Sequence, residues 1–293
     1  MKALDESEFC IIGAGLMGAS LALALRGKVK ALHGIDPNPA AREPALAIFD
    51  HFSVDLRDCA SADVIVLAAP INAIVTLLPQ IGVLAKRGAL ILDLGSVKAP
   101  VVRSMNELPE HLFAVAGHPM CGKELSGASA AEARIYCDCR FVLCQTARST
   151  AESMALAERI VRAAQARPLW LEAEQHDRAV AAISHLPYLI STALVEAVGS
   201  LADHADGDVL WQLASSGFRD TSRLASSDVT MMGDTVFTNR NAILPVLEAA
   251  LLQLTALREA LRHDDDPQLR RFLGAARARR SIWLENYPPP SKA

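Results

Sequence analysis

The chain has 293 residues, of which 51% are hydrophobic and 21% charged, and its formal net charge is −4. That apolar fraction excludes a disordered chain, and so small a charge excludes an acidic or basic tail protein. The chain has no Lys/Arg-dense block, which argues against a nucleic-acid partner. A length at the roughly 250–300 residue limit of a single core predicts two domains.

The first nine residues carry Asp5, Glu6 and Glu8 and lack the basic and apolar regions of a signal peptide. Residues 9–12 are a short apolar run ending in glycine, and residues 17–25 continue as a helix. Further apolar runs follow at 31–35, 64–69, 89–94, 113–116 and 141–144, with a weaker one at 169–171. Runs of four to six apolar residues without alternation predict strands buried on both faces, as in a parallel sheet covered by helices. Beyond Glu172 the strand signals stop, and amphipathic stretches take over at 174–201, 208–225, 242–262 and 268–283. The expected architecture is therefore α/β, a doubly wound, mostly parallel sheet over residues 1–172, followed by an all-α domain over 173–293. The tail Pro288-Pro289-Pro290 is expected to fray.

Residues 179–195 form a 17-residue run without Asp, Glu, Lys or Arg. It falls short of the roughly 18–20 apolar residues a membrane span needs. It also contains Ser184, His185 and Pro187, so it reads as a buried helix, kinked at the proline, and no membrane partner is expected. Among the six cysteines there is no CxxC pair and no zinc-ligand spacing, so no metal is expected. Cys10 and Cys144 lie inside apolar runs and read as reduced core residues of a cytoplasmic protein.

The chemistry begins at Gly13-Ala14-Gly15-Leu16-Met17-Gly18, between a predicted strand and a predicted helix, with Asp36 eighteen residues past the last glycine. This is the context of a dinucleotide fingerprint. Gly13 permits the tight turn, Gly15 lets a pyrophosphate approach, and Gly18 lets helix and strand pack closely. Leu16 and Met17 begin the helix whose free N–H groups face the phosphates. Asp36 would accept the ribose hydroxyls and repel a 2′-phosphate, which favours NAD over NADP.

Four further clusters stand at element ends. The first is Asp93-Leu94-Gly95-Ser96-Val97-Lys98, where Ser96 reads equally as a helix cap and Lys98 as a surface charge. The second is His118-Pro119-Met120-Cys121-Gly122, with Glu124, Ser126 and Gly127; a histidine there suits proton transfer near neutral pH. The third joins His176-Asp177 to Ser184-His185-Leu186-Pro187, where His185 reads either as a site residue or as a satisfied core histidine. The fourth is residues 217–223, whose Arg219 and Arg223 at four-residue spacing predict one helix face able to grip a carboxylate, or a surface ladder.

Together the GxGLMGxS opening, DLGSVK, HPMxGxExSG, HDxxxAxxSHLP and GFRDTSRLA segments resemble the prephenate/arogenate dehydrogenase family over about residues 9–240. The resemblance implies a Rossmann domain and a helical domain through which a homodimer forms. It implies NAD-dependent oxidative decarboxylation of a small-molecule substrate, prephenate or arogenate or an amino-substituted analogue, in tyrosine biosynthesis. Carried onto this chain, it makes His118 the catalytic base and Ser96 the serine supporting the hydroxyl–histidine contact. It makes His185, Arg223 and Gly122 substrate-binding. Met232 stands where many relatives carry tryptophan, and the chain ends at Ala293 with no room expected for a regulatory domain. Two alternatives are a β-hydroxyacid dehydrogenase and a non-catalytic NAD-sensing or scaffold protein. The former needs a lysine in its second domain, and this chain has none between Lys123 and Lys292.

Overall fold

The computed structural model describes residues 1–123, 125, 127–203 and 207–287. Strand β1 (Glu8–Ile12) runs through the glycine turn into helix α1 (Leu16–Leu25) and returns as β2 (Ala31–Ile35). The chain continues through α2 (Arg42–Leu46), β3 (His51–Ser53), β4 (Val64–Leu67), α3 (Ile71–Leu84), β5 (Leu90–Asp93), α4 (Ala99–Asn106) and β6 (Phe113–Pro119). It then forms β7 (Arg140–Gln145), α5 (Ala151–Ala163) and β8 (Arg167–Trp170). The strands form one sheet in the order β3-β2-β1-β4-β5-β6-β7-β8. Its first six strands are parallel, β7 is antiparallel to β6, and β8 is parallel to β7. The doubly wound reading holds, with the order reversing between β1 and β4, where such sheets open a crevice for ligands.

Strands β4 and β5 are buried at every position, which is why their apolar runs show no alternation. On one face Phe9 and Ile11 pack with Leu21 of α1 and Ile160 of α5. On the other, Cys10 and Ile65 pack with Leu78 of α3 and Met105 of α4. Strand β3 gives no apolar signal because it is a three-residue edge strand with His51 exposed. Strand β7 reverses, and among the described residues its connection from β6 holds short 3-10 turns (Ala128–Ala130 and Ala133–Tyr136) rather than the helical crossover a parallel return requires.

Helix α6 (Ala173–Val180), a π turn (Ala181–His185) and α7 (Leu186–Ala202) form one continuous helix, Ala173–Ala202. Pro187 has no N–H to give the carbonyl of Ile183, and the widened turn just before it absorbs that loss. By length and composition this helix could cross a membrane. It nonetheless buries His176, Asp177 and His185 against polar partners in the protein. The expectation of a buried helix holds only for its first half. From Leu186 onward Ser191 is the one buried residue, so the apolar side of α7 is half-exposed in a single chain.

The stretch expected as one helix over 208–225 is broken into α8 (Gly207–Leu213), α9 (Ser216–Ser222) and a 3-10 turn, Arg223–Ser226. Arg219 and Arg223 therefore do not share one helix face, because α9 ends between them. Helix α10 (Val229–Thr238), capped by Asp228 on the Met231 N–H, completes a compact unit that spans Met1–Asn239. The second unit, Arg240–Ala293, is a hairpin of α11 (Arg240–Arg262) and α12 (Asp266–Asn286). The tail at Pro288-Pro289-Pro290 lies outside the described residues.

The glycine turn is held by close backbone approach. Gly13 adopts φ +102°, and a Cβ there would meet the Ala68 carbonyl oxygen at 2.3 Å. Gly13→Ala is expected to lower unfolding free energy by about 1–3 kcal/mol, read by urea denaturation. An unchanged midpoint would show that the turn relaxes freely.

Candidate active site

Every group described here lies in the Met1–Asn239 unit. At the end of β1, Gly15 caps α1 without a side-chain hydrogen bond, so the first N–H groups of the helix are left for a ligand. A Cβ on Gly15 would touch nothing within 4 Å, whereas one on Gly18 would meet the Gly13 carbonyl at 1.9 Å. The space in front of Gly15 is thus open in the protein, while Gly13 and Gly18 serve the fold. Leu16 and Met17 open α1, and the Tyr136 hydroxyl donates to the Met17 carbonyl at 2.7 Å. Asp36, just past β2, accepts from the Ala14 N–H and the Asn38 N–H, each at 2.8 Å. Each of its oxygens keeps a lone pair for a ribose hydroxyl. These residues fit a dinucleotide.

At the end of β5, Asp93 and Lys98 are both fully buried and form an ion pair. Lys98 Nζ also donates to the Gly117 carbonyl at 2.6 Å, and Asp93 accepts from the N–H groups of Gly95 and Gly117 at 2.8 and 2.9 Å. Lys98 is therefore no surface charge; it staples β5 to β6 immediately before His118. Nor does Ser96 cap α4. Its hydroxyl lies 3.0 Å from that of Thr235 on α10. The cap comes from another helix: Asp177 accepts from the N–H groups of Lys98 (2.7 Å) and Ala99 (2.8 Å).

His118 projects from the end of β6, and its Nδ1 lies 2.8 Å from His176 Nε2. His176 Nδ1 in turn lies 2.8 Å from Asp177 Oδ1. The two imidazoles meet edge to face at 5.0 Å. His118 is half-buried, and among the described residues its Nε2 carries no protein hydrogen bond. Burial, then the neighbouring His176, Lys98 and His185, push its pKa well below the usual histidine value. Burial would raise the Asp177 pKa, but bonds from His176, Lys98 and Ala99 outweigh it and hold the carboxyl below its ordinary value.

The π turn carries His185 into the same cluster. Asn239, at the end of α10, directs its amide nitrogen at the Asp177 carbonyl (2.9 Å) and at His185 Nδ1 (3.1 Å). A carbonyl only accepts, so that amide group donates to both, and neutral His185 carries its proton on Nε2. Burial lowers the His185 pKa to about 4, against the opposing pull of Asp177.

The structure thus brings His118, His176, Asp177, His185 and Asn239 into one hydrogen-bonded cluster. Arg223 is exposed on the turn that Ser191 of α7 holds through the Ala225 N–H (3.1 Å). Gly122 lies exposed in the segment after β6, and Glu124 and Ser126 of the same motif lie outside the described residues. Sequence reasoning underweighted Asp93, Lys98 and Asp177 and missed Thr235 and Asn239. The adjacency of His176 and Asp177 was a visible signal; nothing local marks Asn239.

Two family profiles match in tandem. Residues 20–169 match "Prephenate dehydrogenase, nucleotide-binding domain", and residues 172–275 match "Prephenate dehydrogenase, dimerization domain". The chain belongs to the prephenate dehydrogenase family. It is 30% identical over 283 residues to the cyclohexadienyl dehydrogenase of Zymomonas mobilis, covering 94% of this chain and 96% of that one. Prephenate dehydrogenase of Aquifex aeolicus, solved with hydroxyphenyl propionate and NAD+, superposes with a TM-score of 0.87 at 25% identity. That match covers 96% of this chain and 99% of the other. The arogenate dehydrogenase of Synechocystis gives a TM-score of 0.79 at 30% identity, covering 94% and 99%. As a member of this family the chain is a dehydrogenase with a nucleotide-binding domain.

Gly15→Ala is expected to leave thermal stability unchanged but weaken NAD binding at least tenfold by calorimetry, because only the ligand meets the added methyl. Equal affinity would place the pyrophosphate elsewhere. The neutral histidines also set a pH dependence. Between pH 6.5 and about 4 the unfolded chain protonates His185 and the folded chain does not, so stability falls as pH falls through that window. The loss from His185 is on the order of 3 kcal/mol by pH 4. Urea unfolding at pH 7 and pH 5 should show the decline, and His185→Gln should flatten it.

Proposed function

We propose that this chain oxidises prephenate or arogenate with NAD and releases CO2, and that His118 Nε2 is the base. The observation that carries this reading is the open Nε2 of His118, at a strand end of the sheet that carries the dinucleotide turn and backed by a second histidine. When bound, NAD supplies the hydride acceptor. Hydride loss from the carbinol carbon builds positive charge there, and His118 offsets it by taking the hydroxyl proton. The ring carboxylate then leaves as CO2, and its bonding pair enters the ring. The oxygen becomes phenolic and takes the proton back from His118. Aromatisation makes the sequence effectively irreversible.

Ser96 is assigned to support the hydroxyl–histidine contact, with Thr235 holding its rotamer. His185, with its Nε2–H free to donate, is assigned to the substrate, as are Arg223 for a carboxylate and Gly122 for close backbone approach. Gly15, Leu16, Met17, Asp36 and Ser96 are assigned to the cofactor, with Gly13 and Gly18 shaping the turn that receives it and Asp36 disfavouring NADP. Residues 1–172 form the cofactor domain and 173–293 the substrate and dimerisation domain of a cytoplasmic homodimer. Exposed apolar residues such as Leu251, Leu252 and Trp283 supply surface for that association. The β-hydroxyacid alternative lacks its second-domain lysine, because the chain has none between Lys123 and Lys292.

The direct test is NADH absorbance after adding NAD with prephenate, then with arogenate. NAD binding without reduction by either substrate would favour a sensor. In the active enzyme His118→Asn is expected to cut turnover by roughly 10²–10⁴ and leave NAD affinity nearly intact.

A further inference from the structure

We infer that His176 and Asp177 set the tautomer of His118 and thereby make Nε2, rather than Nδ1, its basic nitrogen. The inference rests on the assignment of His118 as the base.

Donors and acceptors along the string fix its protonation from the Asp177 end, which cannot vary. The Asp177 carboxylate receives the Lys98 N–H at Oδ1 and the Ala99 N–H at Oδ2. Those two bonds anchor it at the positive end of α4 and favour its ionised form. An ionised carboxylate only accepts, so His176 Nδ1, 2.8 Å from Oδ1, must carry a proton. A neutral imidazole protonated on Nδ1 has a bare Nε2. That bare nitrogen lies 2.8 Å from His118 Nδ1, which must therefore donate. Neutral His118 is then left with a lone pair on Nε2, pointing away from the string.

The surroundings oppose the other protonation pattern. Doubly protonated His176 would turn the arrangement round and give His118 an Nε2–H. It would also add a cation to a buried cluster that already holds Lys98, paired to Asp93, with His185 adjacent and Cys144 facing from β7. Asn239 further fixes the backbone of Asp177 through its carbonyl. The same string serves the charged state. Once Nε2 has taken the substrate proton, the Nδ1 proton of His118 can shift to His176, which places the positive charge directly against Asp177. No atom leaves the chain in that step, and its reversal restores the starting tautomers. His176 and Asp177 are positioning residues here; neither is assigned a contact with substrate.

The test begins on the unaltered protein. Nitrogen-15 spectra of histidine-labelled enzyme at pH 8 should show His118 with a bare Nε2 and a protonated Nδ1, and His176 with the same pattern. A protonated Nε2 on His118 overturns the inference. These spectra need no substrate, so they are independent of whether prephenate or arogenate is turned over. In kinetics, His176→Leu is expected to lower kcat at least 100-fold, with KM and NAD affinity within about threefold. His176→Gln, whose side-chain carbonyl can accept from His118 Nδ1, should recover to within tenfold of the parent. Asp177→Asn should behave like His176→Leu. A folded His176→Leu that keeps kcat within tenfold, or a His176→Gln as poor as His176→Leu, overturns the inference. Should His176→Leu fail to fold, the spectra of the parent protein decide.

Discussion

The carboxylate of Asp177 is the point on which the rest of the site depends. It caps a helix it does not belong to, because the loop after β5 offers α4 no side chain for its first N–H groups. The helix end gains an acceptor, and the carboxylate gains two donors and a favourable dipole. A buried charge is tolerable only when paired in this way. Because the same oxygen also faces His176, the capping of a helix and the orientation of a histidine pair become one interaction.

Around that point three elements converge. The Asp93–Lys98 pair draws the ends of β5 and β6 together and fixes the backbone from which His118 projects. The π turn before Pro187 rotates His185 toward the carbonyl side of Asp177, where Asn239 bridges them. Helix α10 thus contributes at two adjacent turns, through Thr235 to Ser96 and through Asn239 to His185. A cluster this well paired leaves no buried side-chain polar atom unsatisfied among the described residues. Within that cluster, among the described residues, His118 Nε2 and His185 Nε2 are the ring nitrogens that carry no protein hydrogen bond.

The alternation of strands and helices up to β8 was legible because a sheet covered on both faces writes continuous apolar runs. The fingerprint glycines were legible because tight turns and close approach admit no side chain at Gly13 or Gly18. Three things were not. The edge strand β3 is too short and too polar to carry a pattern. The break between α9 and the turn at Arg223 is a tertiary choice, with Ser191 of α7 taking the Ala225 N–H. Lys98 was ambiguous because charge and exposure usually go together, and only a buried carboxylate five residues earlier reverses that.

Read alone, the sequence determined the doubly wound architecture, the dinucleotide turn, the acid at the end of β2 and the family to which the motifs point. Periodicity, glycine sterics and motif order are local or sequential properties, and they survive without coordinates. Only the tertiary structure decided that Asp177 caps α4, that His176 stands behind His118, and that Asn239 sets the tautomer of His185. Those are contacts between groups separated by 54 to 79 positions in the chain. A hydrogen bond depends on distance and direction in space, and a linear order of residues specifies neither.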